Sequence, residues 1–270
     1  MTAPTTAPAR TPSPVTIAFA GLTAIAVAMG IGRFAFTPVL PMMQKDAGLS
    51  LAAGGWLASA NYVGYFVGAL SAIWIRAAAP NVIRTALVAI ALLTAGMGAV
   101  HGPLAWLALR GLAGVASAWA LVFALSWVLQ ELAATEKDRL SGIVFGGVGL
   151  GTALAGGLCL VFLLLSWSSG DAWIALGAVA LVLTLSIWPV YATANDSGAR
   201  APDAPRPAVS VPVWSSGNLD LVAHYACFGF GYIIPATFLP VMAKQAIADP
   251  AIFGWAWPIF GATAMVSTLL

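Results

Sequence analysis

The chain has 270 residues, of which 61% are apolar and only 7% are charged, whereas an ordinary soluble domain has about 45–50% and about 25%. This balance excludes a soluble globular protein and predicts an all-α integral membrane protein with several spans. A net charge of +2 does not indicate a nucleic-acid partner, and the lipid bilayer is the first partner that the composition implies.

The elements follow from the length of the apolar runs. Residues 1–14 are rich in Thr, Ala and Pro, and we expect a disordered tail. A helix needs about 20 apolar residues to cross the bilayer. The first apolar run is too long for the core of a cleavable signal peptide, so we expect it to be a transmembrane helix. The predicted spans are 15–41, 52–75, 82–100, 103–129, 141–166, 172–193, 219–243 and 251–270.

A polar linker at residues 194–218 divides these spans into a six-helix N-terminal half, 15–193, and two further helices within 219–270. Cations flank the tail and alternate loops, in the set Arg10, Arg76, Arg84, Lys137, Arg139, Arg200 and Arg206. The opposite loops hold Lys45 and Lys244. Because basic loops stay inside, we expect the N-terminus and the linker to be cytoplasmic, in a bacterial inner membrane.

The beginning of the first span is repeated at the start of the second half. Residues 30–45 and 229–244 share Gly, Gly, Leu, Pro, Met and Lys at a constant offset of 199 residues, and Gly55-Trp56 recurs as Gly254-Trp255. A period this long indicates two duplicated halves rather than a solenoid. Duplicated bundles of membrane helices are typical of secondary transporters, which bind solute between the halves.

One sequence motif is more specific for a family than the repeat. Gly-x-Gly-Arg-Phe-Ala-Phe-Thr-Pro-x-Leu-Pro-x-Met over residues 30–43, with Gly55-Trp56 and Asn-Tyr-Val-Gly-Tyr over 61–65, resembles the uncharacterised bacterial YbfB/YjiJ-type branch of the major facilitator superfamily. Arg110 and Gly114 match the Arg-x-x-x-Gly pattern of that superfamily's fourth span. The loop motif after the second span lacks its Asp, and the fifth span keeps Gly156-Gly157 without the antiporter proline.

The resemblance implies a secondary active transporter of a small solute that works by alternating access, with protons as a candidate coupling ion. The arginines within the spans, described below, favour an anionic solute. It also implies twelve spans, whereas the sequence reaches about eight by Leu270. The alternative is therefore an inactive truncated product, or a helical membrane assembly piece that does not transport.

Two arginines within spans are the main candidates for substrate binding. A charged group in hydrocarbon is costly unless it is paired or faces a water-filled cavity, so Arg33 and Arg110 suit a carboxylate-bearing substrate. Arg33 could instead extend toward the interface. Arg110 could instead form an ion pair or clamp main-chain carbonyls between helices.

The remaining candidates are polar or aromatic. The repeat places Tyr232 at the position of Arg33, and Tyr225 shares its helix face. Asn61 and Tyr65 could contact substrate, although hydrogen bonding between helices is the alternative. His224 is a weak candidate for proton coupling, because an isolated histidine is more often a packing residue. Candidates for conformational gating are Arg76, Arg84, Pro41 and Pro240.

The sequence lacks the residues that other classes of function would need. Each Asp and Glu lies at a span end or in a loop, there are only two histidines, and no phosphate-binding loop is present. We therefore expect no enzyme, no metal, no cofactor and no nucleotide.

Overall fold

The computed structural model describes residues 12–196, 216–247, 249, 252 and 254–269. The helices are α1 (Pro14–Ile25), a π-helix (Ala26–Phe34), α2 (Phe36–Asp46), α3 (Leu51–Ser71), α4 (Ala79–Ala99), α5 (Pro103–Ala134), α6 (Ser141–Leu164), α7 (Ser169–Asp196), α8 (Ser216–Ala246) and α9 (Ala256–Leu269). Short 3₁₀ turns, Ala72–Trp74 and Asp138–Leu140, lie before α4 and α6. The predicted tail up to residue 11 and the predicted linker from 197 to 215 lie outside the described residues.

Five helical segments within the described residues are long and apolar enough to cross a membrane: Pro14–Asp46, Ala79–Ala99, Pro103–Ala134, Asp138–Leu164 and Ser169–Thr193. All five coincide with predicted spans. Helix α3 also has a spanning length, 21 residues, but its Asn61, its two tyrosines and its glycines lower its hydropathy. Those residues pack against other helices, so the composition of α3 reflects its place inside the bundle.

Polar caps fix where several helices begin. The Ser13 hydroxyl accepts a hydrogen bond from the Thr16 N–H, and Pro14 occupies the first turn of α1. The Ser50 hydroxyl accepts one from the Ala53 N–H at the start of α3. These caps satisfy amide donors that have no partner within the helix.

The first helix, from α1 through α2, is the centre of the bundle. It contacts each of the helices α3 to α8, and 78% of its most apolar window is buried inside the protein. The other four apolar segments are between 33% and 50% buried, because they present more of their surface to lipid. A charged side chain on the first helix is therefore held inside the protein.

Glycines bring the helix backbones into close contact. A Cβ atom at Gly64 of α3 would collide with the Gly111 carbonyl of α5, and one at Gly114 would collide with the Asn61 carbonyl. Gly30 and Gly151 meet in the same way between the π-helix and α6. This is the small-residue packing typical of membrane helices.

Tryptophans near span ends are typical of an interfacial aromatic belt, but at least one of them packs inside the protein instead. Trp106 is buried, and its indole N–H lies 2.9 Å from the Val100 carbonyl and 3.1 Å from that of Met97. The indole fills the corner between α4 and α5. A tryptophan at a helix end thus serves packing when a neighbouring helix covers it.

The two helices of the second half meet the first half differently. Helix α9 packs along α6, where Gly149 lies against Gly261 and Met265. Helix α8 contacts α2 and, through Thr237, Tyr62 of α3. From Leu219 to Tyr232 every residue of α8 is exposed except Gly229, whereas Thr237 is buried.

Candidate functional site

The site is built on the π-helix in the middle of the first helix. A π-helix is rare and marks functional positions in many helices. Here it ends four residues before Pro38, which has no N–H to offer the carbonyls of Phe34 and Arg33. Pro38 therefore removes one main-chain donor from this part of the helix.

Arg110 supplies donors from α5. It is only 3% exposed, and its two terminal nitrogens donate to the carbonyls of Gly32, at 3.3 Å, and Arg33, at 3.2 Å. Its guanidinium carbon lies 4.9 Å from the centre of the Phe36 ring. The geometry is that of a carbonyl clamp between α5 and the first helix, the alternative that the sequence left open.

Asn61 extends this network to α3. Its side chain is fully buried, and its Nδ2 donates to the Arg110 carbonyl at 2.9 Å. The neighbouring Gly114 allows the two backbones to approach this closely. Asn61 thus joins α3 to α5.

Arg33 lies in an aromatic cage formed by Phe34, Tyr62 and Tyr65. The guanidinium carbon is 5.4 Å from the centre of the Phe34 ring, 5.2 Å from that of Tyr62 and 4.4 Å from that of Tyr65. These are cation–π distances. The Nε atom of Arg33 is buried and has no hydrogen-bond partner among the described residues.

The cage lies where α3 meets the second half. The Thr237 hydroxyl donates to the Ile233 carbonyl at 2.7 Å, which leaves its oxygen free to accept from the Tyr62 hydroxyl. The cage therefore adjoins α8 through the hydrogen bond between Tyr62 and Thr237.

A ring from α9 packs against the cage at Phe34. Trp257 is 1% exposed, and its ring makes an edge contact with Phe34 at 6.5 Å between centroids. Phe260 stacks on Trp257 at 5.1 Å. The rings on Arg33 thus come from the first helix and α3, and α9 packs against one of them.

Comparison with known proteins identifies the family. A family model described as "Uncharacterised MFS-type transporter YbfB" matches residues 25–270. The chain belongs to this family. No curated protein matches it, and the family match supports the predicted all-α major-facilitator fold and a multi-pass transporter of small molecules.

The other candidate binding residues of this YbfB-type transporter lie apart from the cage. Tyr225 is 70% exposed on α8. His224 beside it is exposed, and its Nδ1 lies 2.7 Å from the Asp220 carbonyl one turn earlier. Tyr232 is 42% exposed and stacks on Phe228 at 6.2 Å between centroids. Proton coupling through His224 stays a prediction.

The candidate gating residues are dispersed. Arg76 is exposed between α3 and α4, whereas Arg84 bonds the Asn81 side chain and lies 5.0 Å from the Trp188 ring. Pro41 is buried beside a narrow crevice between α2, α6 and the start of α9. Pro240 lies in α8, and its side chain is outside the described part. Their gating role remains a prediction.

Two residues near the site, Trp257 and Thr237, escaped the sequence reasoning. Tyr62 precedes Tyr65 by three positions, so the two share a helix face, a signal that could have linked both to one cation. Nothing in the local sequence marks Thr237 or Trp257, because their roles depend on how the halves meet. Among the described residues no cluster of His, Cys, Asp or Glu could hold a metal ion.

Proposed function

We propose that this member of the YbfB-type family works as a secondary active transporter of a small anionic solute by alternating access, with Arg33 as the substrate-binding cation. The supporting observation is the position of Arg33, an intramembrane guanidinium in an aromatic cage between the two halves with an unpartnered Nε atom. An intramembrane cation needs a counter-charge or water. The acidic residues of the described helices lie within five positions of a helix end, which leaves that role to a substrate.

The packing of α8 supports alternating access. Thr237 and Phe238 lie against Tyr62 and Gly55 of α3, whereas the opposite end of α8, around Tyr225, is exposed. Helix α8 thus contacts α3 toward its C-terminal end and is exposed toward its N-terminal end. This arrangement is compatible with one extreme of a rocking cycle.

The charge pattern gives that state an orientation. The loop between α5 and α6 carries Lys137 and Arg139, and basic loops stay in the cytoplasm. The end of α8 near Thr237 then faces outward. We propose an inner-membrane protein with a cytoplasmic N-terminus, described here in a conformation open to the cytoplasm.

Transport in proteoliposomes tests the proposal. The purified protein is reconstituted, a membrane potential or a proton gradient is imposed, and uptake is measured for a labelled organic anion, an organic cation and a neutral sugar. We expect uptake of the anion, and its loss in Arg33→Ala. The exposed Arg139 gives the control, because Arg139→Ala removes a cation far from the cage. Uptake that is unchanged by Arg33→Ala would refute the site.

A further inference from the structure

Tyr62 contacts the proposed ligand-binding cation and the second half of the protein at the same time. The guanidinium carbon of Arg33 lies 5.2 Å from the centre of the Tyr62 ring. The hydroxyl of that ring lies 2.5 Å from the Thr237 hydroxyl on α8. Because the ring is rigid, a change in how it lies against Arg33 also changes where its hydroxyl lies relative to Thr237.

The oxygen that this hydroxyl must reach is held in place. Thr237 is 4% exposed, and its hydroxyl donates to the Ile233 carbonyl at 2.7 Å. A hydroxyl has one hydrogen, so Thr237 accepts the hydrogen bond from Tyr62. Hydrogen bonds weaken steeply when they are misaligned. The contact with α8 is therefore sensitive to the position of the Tyr62 ring.

Arg33 positions this ring without joining the two halves itself. Arg33 lies on the π-helix and Tyr62 on α3, so both belong to the six-helix half. Their contact remains possible when α8 moves away, whereas the hydrogen bond to Thr237 is then lost. Cation–π attraction to Arg33 holds the ring where its hydroxyl reaches Thr237. Such preorganisation lowers the entropy cost of forming the hydrogen bond.

We propose that Tyr62 couples the charge of Arg33 to the contact between α3 and α8. This inference rests on the proposed function, because the proposed anionic solute is what neutralises Arg33. A carboxylate bound to the guanidinium lowers its attraction for the face of the ring. The ring is then held less firmly and its hydrogen bond to Thr237 weakens. Binding of the anion thus favours separation of α8 from α3.

Tyr65 provides the comparison that isolates the hydroxyl of Tyr62. The Tyr65 ring is closer to the Arg33 guanidinium carbon, at 4.4 Å, but none of the described residues forms a hydrogen bond with its hydroxyl. Tyr65 therefore contributes a ring to the cage without a hydrogen bond to α8. The two tyrosines share the cation and differ in the coupling that we assign to Tyr62.

Distances between spin labels test the inference without a solute. Leu51→Cys and Met242→Cys carry the labels, because both positions are exposed and lie toward the ends of α3 and α8 that meet. Cys159 and Cys227, the native cysteines, are replaced by alanine. Double electron–electron resonance then gives the ratio of separated to closed populations of the two helices.

Removal of either hydroxyl should raise this ratio. We expect an increase of about threefold in Tyr62→Phe and in Thr237→Val, which is the usual weight of one hydrogen bond between membrane helices. Tyr65→Phe is the matched control and should leave the ratio unchanged, since its hydroxyl makes no hydrogen bond to α8. An unchanged ratio in Tyr62→Phe would overturn the inference.

The charge at Arg33 is then varied in the same labelled protein. Arg33→Gln removes the charge, and we expect it to raise the ratio by up to about threefold, because the hydrogen bond to Thr237 is all that it weakens. Arg33→Lys keeps a cation and should keep the ratio of the unmodified protein. In Tyr62→Phe, Arg33→Gln should have no further effect. Arg33→Met is a second neutral variant in case Arg33→Gln folds poorly.

Two outcomes of the charge series would refute the coupling. One is an equal ratio in the neutral Arg33 variants and the unmodified protein. The other is an undiminished effect of Arg33→Gln in Tyr62→Phe, which would mean that the charge acts by another route. Because none of these measurements uses a solute, uptake that depends on Arg33 would still support the proposed function in either case.

Discussion

Arg110 donates a hydrogen bond to the main-chain carbonyl of Arg33, so one intramembrane arginine holds the backbone of the other. The two cations therefore have different tasks, although both lie within spans. Arg110 donates to the main-chain carbonyls of Gly32 and Arg33, whereas the Arg33 side chain lies among aromatic rings and is the proposed ligand-binding cation. We therefore expect loss of Arg110 to lower stability and loss of Arg33 to lower transport.

Arg110→Ala should lower stability. It leaves the carbonyls of Gly32 and Arg33 without their donor, at about 1–3 kcal/mol for each buried group. Thermal unfolding in detergent, followed by tryptophan fluorescence, should show a melting temperature several degrees lower. Arg33→Ala removes no hydrogen bond to a described residue, and a smaller decrease is expected. An equal melting temperature for Arg110→Ala and the unmodified protein would contradict the clamp.

Gly64→Val should abolish folding. The new Cβ would collide with the Gly111 carbonyl, so α3 and α5 could no longer pack at their present distance. Gly157 in α6 is the matched control, because a Cβ there meets no atom within 4 Å. Gly157→Ala should fold normally, since alanine is the better helix former. The yield of monodisperse protein in size-exclusion chromatography distinguishes the two, and equal yields would show that the close approach is not needed.

The hydrogen bond between Tyr62 and Thr237 should couple the two halves weakly. Hydrogen bonds between membrane helices contribute about 0.6 kcal/mol on average. A double-mutant cycle with Tyr62→Phe and Thr237→Val, evaluated from the free energy of unfolding, should give a coupling of that order. Strictly additive effects would mean that the hydroxyls do not interact.

Asp46 should stabilise the start of α7. Its carboxylate accepts hydrogen bonds from the Ser169 N–H and from the Ser169 hydroxyl, the latter at 2.8 Å. A carboxylate at a helix N-terminus satisfies an orphaned amide and interacts favourably with the helix dipole. Asp46→Ala should lower the free energy of unfolding by about 1 kcal/mol, with Asp46→Asn in between. A neutral effect of Asp46→Ala in chemical denaturation would exclude this cap.

The regular helices could be predicted because their signals are local. Apolar runs of spanning length and caps such as Ser50 mark where α3 and its neighbours lie, and the phrase over residues 30–43 identifies the family. The π-helix could not be predicted, since no local residue pattern marks it, and the donor to its Arg33 carbonyl comes from Arg110, 77 residues away. The position of Trp257 likewise depends on α6 and the first helix, and its sequence neighbourhood resembles that of any tryptophan near a span end.

The first helix is nearly enclosed by helices that follow it in the chain, and this has a consequence for biogenesis. It is synthesised first, but the rings of Tyr62 and Tyr65 and the clamp of Arg110 are added only when α3 and α5 emerge. Until then Arg33 must stay at the edge of the bilayer or inside the insertion machinery, because hydrocarbon alone would not accept it. Because the first helix is synthesised first, Arg33 enters the membrane before the helices that surround it are made.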